Sequence, residues 1–263
     1  MKTIREFAGA KAEGRKIVVA TAYDAWSARL LADSSVDCLL VGDSVMMTLY
    51  GERDTLGATT EIMATHTRIV ARHAPEKLVV ADLPFLAVRK GAAHALDCAA
   101  ALLRAGAHAV KAEGVRGHAE VLHHLVESGI PVMGHLGLTP QSVHALGGYR
   151  VQAREPAEAA QLRADAAALE TAGCFSMVFE CVPAALAKSV TASLKIPTIG
   201  IGAGPDCDGQ VLVLHDLLGF NPDFKPKFAR RFVDTVALMK TGVTAYADAV
   251  RAGTFPSDEE SFR

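Results

Sequence analysis

The chain has 263 residues, is 50% hydrophobic and carries a formal net charge of -2. This length and composition allow a large core, and the near-neutral charge excludes the broad basic surface of nucleic-acid or membrane-surface binders. No apolar stretch approaches the ~20 residues of a membrane span, and the first residues lack a signal-peptide core. Five cysteines without close pairing favour reduced thiols, so we expect a cytoplasmic protein without nucleic-acid or membrane partners.

Strand-like and helix-like segments alternate along the chain. The predicted strands are residues 16–22, 38–42, 77–81, 109–112, 131–136, 175–179, 197–201 and 211–215. The predicted helices are the alanine-rich, amphipathic segments 25–34, 60–73, 92–104, 117–127, 156–171 and 184–193. A terminal helical tail is predicted at 225–253, and the polar end at 257–263 is predicted to be loose.

This alternation predicts a parallel α/β protein. About eight strand–helix units in a chain of about 250 residues favour a (β/α)8 TIM barrel over an open doubly wound sheet, which has the same alternation. Because no linker or change of composition divides the chain, residues 1–263 are predicted to form a single barrel domain with a C-terminal helical tail. Two long connections, 44–60 and 137–156, follow the second and fifth strands and are expected on the active face.

Four apolar runs end in a carboxylate, namely Asp43, Asp82, Glu113 and Glu180. Apolar runs without alternation are typical of strands buried on both faces of a parallel sheet. An ionised carboxylate is costly to bury unless it is paired or bound to a metal. Because the carboxyl ends of parallel strands meet at one edge, we expect these acids to converge on a ligand site.

Three of the acids, Asp43, Asp82 and Glu113, follow consecutive predicted strands. Carboxylate oxygens suit Mg²⁺, which keeps several waters and usually takes one or two carboxylates from the protein. The alternative is that each acid caps a helix or turn, and for one acid alone the two interpretations are equally good. Three consecutive strand ends favour the metal or substrate role.

Two further charged residues are candidates for chemistry. Lys111 lies two residues before Glu113 and therefore on the same side of its strand, where it needs an anion such as a substrate carboxylate or Glu113. An internal ion pair without a catalytic role is the alternative. Glu180 closes an apolar strand, a setting that suits a general base for a carbon-bound proton, with a helix cap as the alternative.

His135 ends the fifth predicted strand, where Gly134 and Gly137 are expected to let a ligand approach closely. A hydrogen-bonded core histidine is an equally good interpretation of this position. Five other histidines fall on predicted helices and are predicted to be surface or packing residues: His66, His73, His94, His123 and His124.

Seven motifs follow one another in a fixed order. They are residues 21–24 (TAYD), 41–44 (VGDS), 81–85 (ADLPF), 111–114 (KAEG), 134–154 (GHLGLTPQSVHALGGYRVQAR), 179–183 (FECVP) and 199–215 (IGIGAGPDCDGQVLVLH). Through these motifs the chain resembles the ketopantoate hydroxymethyltransferase family over nearly its whole length. The number and order of the motifs make the resemblance highly specific.

The resemblance implies a barrel of the phosphoenolpyruvate mutase/isocitrate lyase type that uses Mg²⁺. The implied reaction transfers a one-carbon unit from the co-substrate 5,10-methylenetetrahydrofolate to 3-methyl-2-oxobutanoate, giving 2-dehydropantoate for pantothenate biosynthesis. By motif, the metal residues are Asp43, Asp82 and Glu113, the substrate contacts are Asp43, Ser44, Asp82, Lys111 and His135, and the general base is Glu180. A homo-oligomer is also implied, commonly a decamer in this family.

The chain departs from the usual family pattern at four positions in the long connections. Met46 and Gly57 stand where glycine and proline are usual, and His144 and Ala153 where asparagine and glycine are usual. Met46 adds bulk beside the site and excludes a backbone conformation open only to glycine. These departures bear on substrate fit, turnover and folate affinity but remove no predicted chemical group.

Two other functions fit many of the same residues. One is a Mg²⁺-dependent carbon–carbon lyase or mutase of the same barrel group, acting on another 2-oxo acid and ignoring folate. The other is a non-catalytic paralogue that binds a keto acid and assembles with an active partner. Glu180 disfavours the paralogue, because a pure binding protein needs no general base.

Overall fold

The computed structural model describes residues 1–221 and 226–262. The chain forms two compact units, Met1–Val213 and Leu214–Arg263. The first unit contains every candidate site residue. The single domain expected over residues 1–263 stays a prediction.

The first unit is a closed barrel of eight parallel strands in chain order, as predicted. The strands are β1 Ile17–Thr21, β2 Cys38–Val41, β3 Leu78–Asp82, β4 Ala109–Glu113, β5 Val132–Gly137, β6 Ser176–Glu180, β7 Thr198–Ile201 and β8 Gly209–Leu212. β2 and β3 are buried along their whole length, because helices cover the outside of the barrel and side chains fill its inside.

The eighth strand lies earlier in the chain than predicted. The prediction placed it at 211–215, but β8 begins at Gly209, and His215 lies in a short helix, Leu214–Leu217. Gly209 pairs with Ile17 of β1, where a Cβ atom would lie 2.4 Å from the Ile17 carbonyl oxygen. The strand therefore starts at the residue without a side chain, which an apolar pattern does not reveal.

Helices connect the strands and cover the barrel. In the first unit these are, in chain order, α1 Ile4–Ala12, α2 Ala25–Ala32, α3 Val45–Thr48, α4 Thr60–His73, α5 Ala92–Arg104, α6 Ala119–Glu127, α7 Val143–Leu146, α8 Pro156–Thr171 and α9 Ala184–Ser193. The second unit has α10 Leu214–Leu217 and α11 Thr235–Arg251. Gly106 and Gly173 end α5 and α8 in the left-handed conformation, with φ of 110° and 90°. Four predicted helices, at 60–73, 92–104, 156–171 and 184–193, have the predicted bounds.

The N-terminal helix α1 was not predicted. Its sequence signal is a capping box between Thr3 and Glu6. Phe7 is fully buried, and its ring meets the Phe175 ring edge to face with centroids 5.6 Å apart. Lys11 donates to the Asp208 carboxylate at 2.8 Å, so α1 is fastened to the segment just before β8.

The second unit contains α10, α11 and a 3-10 turn at Asp258–Glu260. Of the helical tail predicted at 225–253, residues 235–251 form α11, residues 226–234 are not helical, and residue 225 lies outside the described residues. Across residues 1–221 and 226–262, no helix combines the length and apolar character needed to span a membrane.

Candidate active site

Strand register gathers the predicted site residues at the carboxyl end of the barrel. Asp82 on β3 is the Cα partner of Lys111 on β4, and Glu113 on β4 is the partner of His135 on β5. Residues that pair in parallel strands point to the same side, so these side chains meet inside the barrel mouth. Glu180 ends β6, and the sequence expectation that the strand-end acids converge is confirmed for this group.

Lys111 is paired with Asp82 and not with Glu113. Its Nζ lies 3.2 Å from Asp82 Oδ1, and both side chains are only 5% exposed. Sequence reasoning had named Glu113 or a substrate carboxylate, but residues two apart on one strand are separated by about 6.6 Å, whereas register partners are adjacent. Burial lowers the pKa of Lys111, yet the charges of Asp82, Glu113 and Asp43 outweigh it and raise the pKa above its ordinary value.

Asp43, two residues after the end of β2, is held in place by hydrogen bonds with Asp82 and Gln141. Its backbone N–H donates to Asp82 Oδ2 at 3.0 Å, and its own Oδ2 accepts from Gln141 Nε2 at 2.8 Å. Burial, followed by the charges of Asp82 and Glu113, raises the pKa of Asp43 well above its ordinary value. A nearby cation would therefore stabilise the ionised carboxylate.

Ser44 follows Asp43 and is placed by a tyrosine. The hydroxyl groups of Ser44 and Tyr23 lie 2.7 Å apart, and Tyr23 is fully buried. A Cβ atom on Gly42 would lie 2.7 Å from Ser44 Oγ, so glycine at this position leaves the room that the hydroxyl occupies. Tyr23 lies in the TAYD motif, but sequence reasoning gave it no role.

His135 connects the lysine to two of the acids. Its Nδ1 is 3.2 Å from Lys111 Nζ and 3.5 Å from Glu113 Oε1, and its Nε2 is 3.2 Å from Glu180 Oε2. Because an ammonium group can only donate, a neutral His135 ring accepts at Nδ1 and carries its proton at Nε2, facing Glu180. Burial and Lys111 lower the pKa of His135, but Glu113 and Glu180 outweigh them and raise it above its ordinary value.

The glycines beside His135 make room for protein atoms, not for a ligand as the sequence analysis expected. A Cβ atom on Gly134 would lie 2.5 Å from Leu169 Cδ1 of α8. Gly137 has φ of 93°, and its Cβ atom would lie 2.2 Å from the Glu180 carbonyl oxygen. The expectation was wrong for Gly134 because the residue next to an inward-facing side chain faces the helices. It was wrong for Gly137 because its left-handed backbone lies against the Glu180 carbonyl of the neighbouring strand.

Two residues that sequence reasoning missed or left outside the site support it. Gln141, in the 3-10 turn Pro140–Ser142, donates to both Asp43 and Glu113. His66, predicted as a surface or packing residue, is buried and contacts the Tyr23 carbonyl oxygen through Nδ1 at 2.6 Å and the Tyr50 hydroxyl through Nε2 at 3.2 Å. Gln141 lies within the motif at 134–154 and His66 lies outside every motif, and the partners of both are distant in sequence.

The departures from the family pattern have local structural explanations at Met46 and Gly57 but not at Ala153. Met46 lies in α3, is 5% exposed and adopts a helical conformation, so no glycine is needed there. Its Cε atom would be 3.2 Å from a Cβ atom on Gly57, which shows that the two unusual residues are neighbours and that the smaller one makes room for the larger. Ala153 has φ of 54°, a left-handed conformation that favours glycine.

The side chains at the predicted metal site offer the oxygen ligands that Mg²⁺ prefers. Within residues 1–221 and 226–262, no three His, Cys, Asp or Glu side chains form a ready metal-ligand group. Mg²⁺ does not require one, because it usually takes one or two protein carboxylates and completes its shell with water and substrate oxygens. Buried Oε1 of Glu113 and buried Oδ1 of Asp82, which contacts Lys111, lack a hydrogen bond of good geometry. Asp43, Asp82 and Glu113 therefore fit a Mg²⁺ site that substrate helps to complete.

Known proteins with similar sequences carry one name. The family model for ketopantoate hydroxymethyltransferase matches residues 1–258. A 3-methyl-2-oxobutanoate hydroxymethyltransferase from Bdellovibrio bacteriovorus is 50% identical over 262 residues, which is 100% of both chains. Proteins with the same name from Coxiella burnetii and Francisella tularensis are 49% and 44% identical, covering 95% and 100% of this chain and 95% and 99% of theirs.

Similar solved structures share the barrel. A phosphonopyruvate hydrolase has a TM-score of 0.66 at 12% identity, and a 2,3-dimethylmalate lyase of the PEP mutase/isocitrate lyase superfamily has 0.63 at 17%. Each comparison covers 100% of this chain and 92% of the other. At such low identity the likeness shows the fold alone, and it confirms the predicted barrel type. The sequence matches decide the family: the chain belongs to the ketopantoate hydroxymethyltransferase family and is a transferase enzyme.

Proposed function

We propose that the enzyme transfers a one-carbon unit from 5,10-methylenetetrahydrofolate to 3-methyl-2-oxobutanoate, giving 2-dehydropantoate for pantothenate biosynthesis. The observation that carries the proposal is a buried group of charged side chains beside Glu180, made by Asp43, Asp82, Lys111 and Glu113. The chain that holds this group is 50% identical to a relative with this substrate in its name. The group combines carboxylates for a cation, an ammonium for the substrate carboxylate and a carboxylate for proton removal.

The metal residues in this proposal are Asp43 and Asp82, with Glu113 next to them. Bound there, Mg²⁺ would supply Lewis-acid stabilisation of negative charge that develops on the keto oxygen. Three carboxylates, those of Asp43, Asp82 and Glu113, act on one ammonium group, so the site has an excess of negative charge that a divalent cation would offset.

The side chains of this site have separate roles in the proposed reaction. Lys111 neutralises the substrate carboxylate, since an ammonium has three donors and Asp82 and His135 occupy two of them. Ser44, whose hydroxyl is fixed by Tyr23, donates a hydrogen bond to the same carboxylate. Their common task is to hold the keto acid in one orientation during proton transfer.

Glu180 acts as the general base in this proposal. It removes the C3 proton of the keto acid, and the resulting carbon nucleophile forms a carbon–carbon bond with the one-carbon unit in an aldol-like step. The one-carbon unit loses both of its bonds to folate nitrogens, water supplies the oxygen of the new hydroxymethyl group, and tetrahydrofolate leaves with the two nitrogens protonated. The Glu180 side chain is 16% exposed and lies 3.2 Å from His135 Nε2, so the ring can orient the carboxylate. Direct contact of His135 with substrate is also proposed, by resemblance.

The proposal includes a cytoplasmic homo-oligomer. The five cysteines are free and buried, which is the state that a reducing compartment maintains. By family resemblance, the oligomer is a decamer.

The first test is a direct assay. Purified protein is incubated with 3-methyl-2-oxobutanoate, 5,10-methylenetetrahydrofolate and Mg²⁺, and 2-dehydropantoate is followed by NMR with a chelator control. We expect product that disappears with the chelator. Loss of the C3 proton signal in D₂O without folate would separately report base chemistry, and a keto acid that binds but yields neither signal would favour the non-catalytic paralogue. Cleavage of another 2-oxo acid without folate would favour the lyase.

A further inference from the structure

Gln141 uses all three of its N–H donors on the ends of three strands. Its backbone N–H donates to Glu113 Oε2 at 3.1 Å, at the end of β4. Its side-chain Nε2 donates to Asp43 Oδ2 at 2.8 Å, after β2, and to the Leu83 carbonyl oxygen at 2.9 Å, after β3. One residue of the connection after β5 therefore contacts the ends of β2, β3 and β4.

The chemistry of the partners fixes the orientation of the Gln141 carboxamide. A carbonyl oxygen cannot donate, so the atom that faces Leu83 must be the nitrogen and not the amide oxygen. Two of the three acceptors are carboxylates, and hydrogen bonds to charged groups are stronger than neutral ones. Glutamate at position 141 would reverse the interaction, because its carboxylate cannot donate and would add a negative charge beside Asp43.

The connection 137–156 has few other contacts of this kind. Its two ends are fixed to β6 and the residue after it, where Leu138 N–H donates to the Glu180 carbonyl oxygen and Gln152 N–H to the Cys181 carbonyl oxygen, each at 2.8 Å. Between these anchors, Tyr149 is 49% exposed and makes a weak contact to Met47 Sδ at 3.7 Å. The Gln141 hydrogen bonds are thus the strong polar contacts that join the first part of the connection, just after the Leu138 anchor, to the acids.

We propose that Gln141 is a positioning residue that closes the connection 137–156 over the site and orients Asp43 and Glu113 for a divalent cation. The identity of the cation rests on the proposed function, but the closure does not. Because the same side chain holds the loop and a carboxylate, opening of the loop and loss of carboxylate orientation occur together.

The closure is tested by limited proteolysis without metal. Arg150 is exposed in the connection and provides a trypsin site. The matched control is Gln161→Ala in α8, since the Gln161 side chain lies outside the connection and donates to Asp165 of its own helix. We expect cleavage after Arg150, read by mass spectrometry, to be about tenfold faster in Gln141→Ala than in the wild type and Gln161→Ala, because a closed loop must open before cleavage. Equal rates in the three proteins would overturn the closure.

The orientation of the acids is tested by calorimetric titration with Mg²⁺ alone. Loss of a partner that orients a metal ligand typically weakens binding by about 10- to 100-fold, and we expect at least the lower value for Gln141→Ala and a larger loss for Gln141→Glu. Unchanged affinity in both variants would overturn the positioning role. A wild-type protein that binds Mg²⁺ neither alone nor with saturating 3-methyl-2-oxobutanoate would contradict the proposed cofactor and this role together, while the proteolysis comparison still decides the closure.

Discussion

The buried charges of the site depend on one another. Lys111 is the ammonium among Asp43, Asp82 and Glu113, and His135 separates it from Glu180. Each of these side chains was found in the sequence because a charged residue inside or directly after an apolar run is unusual. Their mutual contacts were not found, because they depend on which strands are neighbours and in what register.

Glu180→Gln removes the proposed base but keeps the size of the side chain. We expect kcat to fall by about 10²- to 10⁴-fold, with keto acid affinity almost unchanged, because general base catalysis acts on the transition state. Steady-state kinetics and calorimetric binding of 3-methyl-2-oxobutanoate measure the two effects. The control is Glu127→Gln at an exposed position of α6, and undiminished turnover in Glu180→Gln would exclude Glu180 as the base.

Lys111→Met leaves Asp82 without its ion pair. Removing one partner of a buried pair typically costs about 3–5 kcal/mol, and we expect a loss of that order in the free energy of unfolding from urea titrations. Lys195→Met, at an exposed position, should change stability little. Adding Asp82→Asn to Lys111→Met should restore part of the loss, and strict additivity of the two changes would contradict a direct interaction.

The elements around the site are well indicated by local patterns except in the long connections. Four helix predictions had the observed bounds, but α3, α7 and the turn with Gln141 lie in segments that were predicted only as connections. Short helices of one turn have too few residues to produce a periodic signal. The packing of Met46 against Gly57 and the hydrogen bonds of Gln141 to Asp43 and Glu113 come from these short elements. The least predictable parts of the chain therefore lie beside the site.

Ala153→Gly should stabilise the protein. Ala153 has φ of 54°, and a left-handed conformation costs a residue with a Cβ atom about 1–2 kcal/mol. Because glycine also makes the unfolded chain more flexible, we expect a net gain of about 0.5–1 kcal/mol in unfolding free energy. The matched control, Ala145→Gly in α7 of the same connection, should lose about the same amount. A loss in Ala153→Gly would contradict the strained backbone.

At the scale of the whole molecule, the second unit has an apolar surface that supports the proposed homo-oligomer. In α11, Met239, Val243 and Tyr246 lie on one face of the helix and are 54%, 67% and 59% exposed. Clustered exposed apolar side chains on one helix are typical of protein–protein interfaces. The family resemblance points to a second copy of this chain as the partner.

Light scattering after size exclusion measures the oligomer directly. For the wild type we expect a mass of at least two chains, each of 27.7 kDa. Val243→Lys should lower the mass or make it depend on concentration, because a charge in an apolar interface is costly, whereas Thr241→Lys on the same helix should not. A wild-type mass of 27.7 kDa at micromolar concentration would contradict the oligomer.

The amino-acid sequence by itself determined the barrel, most of its strands and helices, and the acids at the strand ends. These features depend on apolar runs and turn residues within a few positions of each other, so they are visible locally. Tertiary structure decided that Lys111 pairs with Asp82, that Gly134 and Gly137 make room for protein atoms, and that Gln141 reaches Asp43. The last two residues are 98 positions apart, and only closure of the barrel, which sets strand neighbours and register, brings such partners together.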